Sequence, residues 1–132
     1  MRKDRIGQPL LKASLVAHGV KLEELAHALG DTPTARTTAT LGLFFGPTAV
    51  GYRSLVEAIQ LDLERALLGG HETNWVRPFV ADEPVLAELA LVEHQERNGM
   101  EIGVVETRFT TPAGEPIQTQ RTTFIERAVG KS

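Results

Sequence analysis

The chain has 132 residues, 42% hydrophobic and 23% charged, which suits a single folded domain over 1–132 with residues 1–9 as a flexible start. Its 14 Lys and Arg against 17 Asp and Glu leave a net charge of −3, which argues against nucleic acid as partner, since phosphate binding needs clustered cations. Cysteine is absent, excluding disulfides, thiolate metal sites and a Cys nucleophile.

No apolar run has the length of a membrane span, and the basic start (Arg2, Lys3, Arg5) leads into none, so no membrane partner is expected and the expected location is cytoplasmic. His18, His27, His71 and His94 lack metal-ligand spacing, so neither metal nor other cofactor is expected.

In chain order, Leu10 to Ala17 alternates loosely and predicts a first strand. Lys21 to Leu29 carries Leu22, Leu25, Ala26 and Leu29 at helical spacing, closed by Gly30. Asp31 to Thr40, with five threonines and Pro33, reads as a loop or flap. A long helix is predicted from about Val50 to Leu68, because Leu55, Val56, Ile59, Leu63, Ala66 and Leu67 form one stripe, with Gly69-Gly70 ending it.

The period then falls from 3.6 to 2. Glu72 to Val80 predicts a strand that Pro78 marks as an edge or a bend. Val85 to Glu96 places Val85, Ala87, Leu89 and Leu91 on one face. Asn98-Gly99 signals a tight hairpin into Glu101 to Thr111, with His94, Glu93 and Glu96 expected at its solvated end. After Pro112 to Pro116, Ile117 to Arg127 is the last strand.

A helix striped on one side and a strand meander need each other for burial. The expectation is an α+β hot-dog fold, an antiparallel sheet of about five strands wrapped around a long central helix. Exposed sheet edges favour a homodimer or larger assembly.

Several stretches resemble the MaoC-like hydratases and dehydratases of this fold. Ala28-Leu29-Gly30-Asp31-Thr32-Pro33 is similar to their A-x-G-D-x-N-P segment. Gly46-Pro47-Thr48 with Gly51 resembles the approach to their central helix. Trp75 to Val85 looks like their R-F-x-x-P-V-x-x-G-D-x-L strand and turn, and Thr110 to Ile125 like their closing hairpin. The resemblance implies an acyl thioester on coenzyme A or a carrier protein as ligand, and reversible addition of water to a trans-enoyl thioester. It further implies an Asp and a His ahead of the central helix that position water and move a proton.

Asp31 fits the acid of that pair, or simply forms a turn after the helix-ending Gly30. The His should follow about five residues later, where Thr34, Ala35 and Arg36 stand, so the pair is incomplete. Either the site is altered, or this chain is the non-catalytic member of a pair with a catalytic partner subunit, or the pocket does something else. His71, after Gly69-Gly70, either points into the pocket or is a half-exposed loop residue. Glu57 is a helical surface charge in one reading and the base or nucleophile of an acyl-CoA thioesterase in another. A non-enzymatic binding or structural protein is the third.

For substrate binding the candidates are the backbone of Gly46, Thr48 and Gly51, which begin the helix, with Trp75 and Arg77. Trp75 is read as core or dimer seam before ligand stacking, and Arg77 as a phosphate contact or a solvated strand residue.

Overall fold

The computed structural model describes residues 1, 3–44, 46–49 and 51–127, with positions 3, 37, 38, 41, 42, 47, 48, 52 and 63 described by backbone alone. Strands β1 (Pro9–Val16), β2 (Ala66–Trp75), β3 (Pro84–Arg97), β4 (Met100–Thr110) and β5 (Pro116–Arg127) form one sheet in the order β1-β3-β4-β5-β2. Every neighbouring pair is antiparallel. Helices α1 (Gly19–Ala28), α2 (Pro33–Gly42), α3 (Gly46–Ala49) and α4 (Tyr52–Ile59) precede β2. This is the hot-dog arrangement.

Alternation along the strands decides which face is covered. Val85, Ala87, Leu89 and Leu91 of β3 are buried, as are Val105, Thr107 and Phe109 of β4. Phe44, two residues past the end of α2, stacks on Phe109 at 5.5 Å and meets Phe79 edge-on at 5.2 Å. Leu55, Ile59 and Leu61 close the other half of the core against Leu89, Leu91 and Val105. The Asn98-Gly99 hairpin forms as the sequence predicts, both residues taking positive φ (52° and 76°).

The single helix from Val50 to Leu68 does not form. Helix α4 stops at Ile59, where Gln60 takes a left-handed conformation, and a short 3-10 turn over Leu63–Arg65 leads into β2. The reason is tertiary. Without 66–75 as a strand, β5 would be the sheet edge; with it, nine β5 residues from Gln118 to Glu126 gain partners. Gly69-Gly70 therefore interrupts a strand at a bulge, where a Cβ on Gly69 would meet Ile125 Cδ1 at 2.8 Å.

The predicted loop over 31–40 is largely helix. Thr32 caps α2, its hydroxyl accepting from the Ala35 N–H at 2.9 Å, and Pro33 occupies the first helical turn, where its fixed φ is favourable.

Met1 and Gly7 make contacts with the sheet and core. The Gly7 N–H donates to the Leu91 carbonyl at 2.7 Å, and Met1 packs against the cluster that contains Leu55 and Leu91. Among the described residues no helix is long and apolar enough to cross a membrane.

Candidate functional site

Helix α1 ends where Gly30 adopts φ 111°, a conformation that costs glycine little. The Gly30 N–H bonds the His27 carbonyl at 3.1 Å and the Asp31 N–H bonds the Ala26 carbonyl at 2.9 Å. That double bond pattern folds the chain back and presents Asp31, itself at φ 54°, beside the last turn of α1. Its Oδ2 lies 2.6 Å from His27 Nδ1. Helix α2 then starts within two residues, so Arg36 and Thr40 face the same space as Asp31.

The other wall is the turn before β3. Helix α1 has no cap from its own His18 side chain; instead Asp82 Oδ1 accepts the Gly19 N–H at 2.9 Å across 63 residues. The Asp82 N–H is in turn held by the Ala17 carbonyl at 2.6 Å. The resulting cleft has a volume of about 800 Å³, and its polar lining includes Glu23, His27, Asp31, Arg36, Thr40 and Asp82. Leu22 and Ala26 form part of its apolar floor.

The structure brings Asp31 into this cleft and places the other candidates elsewhere. Arg77 is committed to Glu83, with Nη1 to Oε1 at 2.9 Å and Nη2 to Oε2 at 2.8 Å. Arg77 is thus a tie across the turn that carries Asp82. Its guanidinium holds the Glu83 carboxyl below the ordinary carboxylate value, burial opposes this, and the Val80 N–H adds to it.

Trp75 is not in the core: it is 46% exposed at the end of β2. Glu57 stands exposed on α4, between the buried Leu55 and Ile59. His71 is not in a loop but within β2, Nδ1 2.9 Å from Thr122 Oγ1 and Nε2 3.4 Å from Thr73 Oγ1.

Gly51 is the residue before α4, at φ 99°. The Gly46 N–H is already engaged, donating to Gln120 Oε1 at 2.6 Å, and a Cβ there would meet the same oxygen at 2.8 Å. It is a packing contact, not a carbonyl site. The Thr48 side chain lies outside the described residues.

Sequence reasoning passed over His27, Asp82 and Gln120. His27 and Asp31 were legible as an i,i+4 pair. Gln118, Gln120 and Thr122 were legible as a period-2 run whose polar side is the buried one, with Gln120 Nε2 donating to the Phe44 carbonyl at 2.8 Å. Asp82 has no local signal, because its partner is 63 residues away.

The fold is that of the MaoC-like hot-dog proteins. The chain belongs to the FAS1-like, dehydratase domain region family, whose model matches residues 22–120. Its fold is similar to a MaoC-like dehydratase from Rhodospirillum rubrum (TM-score 0.65, 15% identity, covering 96% of this chain and 94% of that one). It is also similar to the C-terminally truncated HadBC 3R-hydroxyacyl-ACP dehydratase complex from Mycobacterium tuberculosis (0.65, 19%, 95% and 99%). A third is the R-hydratase PhaJ1 from Pseudomonas aeruginosa in its unliganded form (0.59, 19%, 93% and 82%). No curated protein sequence matches the chain.

Proposed function

We propose that this chain binds an acyl thioester in the α1–α2 cleft and serves a hydratase or dehydratase assembly whose water-activating pair is completed by a partner subunit. One observation carries the reading: Arg36, and not a histidine, stands five residues after Asp31 and lines the cleft with it. A guanidinium stays protonated and only donates hydrogen bonds, so it cannot take a proton from water. It can hold an anionic or carbonyl oxygen, which suits this position to binding rather than proton transfer. The similar HadBC structure is itself a complex of subunits, in keeping with a paired arrangement.

A second reading has a specific contact behind it. His27 is an imidazole on the same cleft, 2.6 Å from Asp31, so the two could position water between them. The thioesterase reading finds no such support, because Glu57 does not line the cleft.

The deciding experiment follows enoyl absorbance and free-thiol release together, using a short trans-enoyl-CoA. It compares the purified chain alone with the chain mixed with a catalytic MaoC-like subunit. Activity that needs the second chain, and falls when Arg36 is replaced by Ala in this one, is the expected result. Hydration by the chain alone that disappears in His27→Ala would move the chemistry to the His27–Asp31 pair. Thiol release that disappears in Glu57→Ala would sink both readings.

A further inference from the structure

The far end of the β3–β4 hairpin gathers groups that the cleft does not use. A bulge between Leu91 and Glu93 shifts the β3 register, so that His94 pairs with Gly103 and Glu96 with Glu101. Since side chains two apart share a face, His94, Glu96, Glu101 and Gly103 come to lie on the core-facing side that Leu91 and Val105 occupy further in. The sequence reading put His94 in solvent; its side chain is 6% exposed, with Nε2 3.0 Å from Glu101 Oε1.

The charge pattern across the strands is unusual. Glu96 stands opposite Glu101 and Glu101 opposite Glu126, three carboxylates in a row over three strands. Like charges placed directly opposite one another oppose strand pairing. At one end of the row Arg65 lies 3.4 Å from Glu126. At the centre the N-terminal ammonium of Met1 lies 3.5 Å from the same Glu101 oxygen that meets His94, so this corner already draws a positive group.

One ligand atom each from His94, Glu96 and Glu101 lies within 4.8 Å of the others. We propose that these three residues bind a divalent transition-metal ion, Zn²⁺ by the chemistry of the set, which ties the hairpin end together. One imidazole nitrogen with two carboxylate oxygens is a borderline donor set that suits Zn²⁺ better than the all-oxygen cations, and water completes the tetrahedron. The ion takes the place of the Met1 ammonium on Glu101. The site shares no residue with the α1–α2 cleft, so its role is structural and independent of the thioester reading.

The test is calorimetric titration of Zn²⁺ into the intact, chelator-treated protein at about pH 7.5. Co²⁺ absorption serves as a second readout. One ion per chain is expected. His94→Ala and Glu101→Gln should each weaken binding by more than the roughly 10–100-fold that loss of a group merely supporting a ligand costs. Binding should persist in His71→Ala. Should His94→Ala not fold, the exposed Glu96→Gln decides alone. Absence of stoichiometric binding, or undiminished binding in Glu96→Gln, would overturn the proposal.

Discussion

Arg77 and Glu83 illustrate how a single ion pair is read at the residue scale. The Glu83 side chain is 13% exposed and accepts three hydrogen bonds, two from Arg77 and one from the Val80 N–H. Removing the guanidinium leaves a largely buried carboxylate with one partner. Arg77→Ala is therefore expected to cost about 1–3 kcal/mol, read as a fall in Tm. Because the folded-state pKa of Glu83 is lowered, the stability it contributes is present above the unfolded carboxylate value and is lost as pH falls through the folded one. The gap between wild type and Arg77→Ala should thus close as the solution is taken through the acid carboxylate range. A constant gap across that range would remove Glu83 as the cause. Nothing in the residues around Arg77 announced this partner, since the pair closes only once the 76–83 turn is folded.

Element boundaries depend on a few terminal residues. Gln60 ends α4 at φ 55°, a left-handed conformation disfavoured for residues with a Cβ. Gln60→Gly is expected to raise stability by about 0.5–1 kcal/mol, the relief of that strain less glycine's extra freedom in the unfolded chain. Thr32→Ala should lower it by about 1 kcal/mol, through loss of the cap on α2. Urea unfolding of both variants checks the pair, and equal midpoints for the two would contradict it.

The same residues explain what the sequence concealed. The 33–42 helix has weak propensity because β-branched Thr recurs in it, yet Thr32-Pro33 was a legible start signal. The stripe from Leu55 through Ala66 and Leu67 keeps helical spacing past the true end of the helix. Periodicity alone could not see that β5 needed the 66–75 segment beside it.

For the whole molecule the consequence is an edge. Strand β2 is outermost, and it carries Leu67 and Leu68 at 60% and 58% exposure with Trp75 at its end. Apolar side chains on an open edge invite pairing with another chain, in line with the assembly proposed for this protein. Light scattering of the wild type should give a dimer or larger species, and the double replacement Leu67→Lys with Leu68→Lys should shift it toward the monomer. A wild-type monomer would argue against the assembly and would leave Trp75 without a role.

By itself the sequence determined the four strands β1, β3, β4 and β5, the Asn98-Gly99 hairpin and helix α1. These depend on side-chain period and turn chemistry, which act within a few residues. It also placed Asp31 at the bend after α1 and showed that no His follows it at the distance the MaoC-like pattern needs. Only the tertiary structure decided that the strand expected over 72–80 runs over 66–75 instead, that Asp82 caps α1 from across the chain and that Arg77 is spent on Glu83. It alone brought His94, Glu96 and Glu101 to one corner. Apart from Arg77, whose partner lies six residues on across a folded turn, the deciding term is a hydrogen-bonding or charged group whose partner is distant in sequence or set by a bulge in strand register, and such partners leave no local trace.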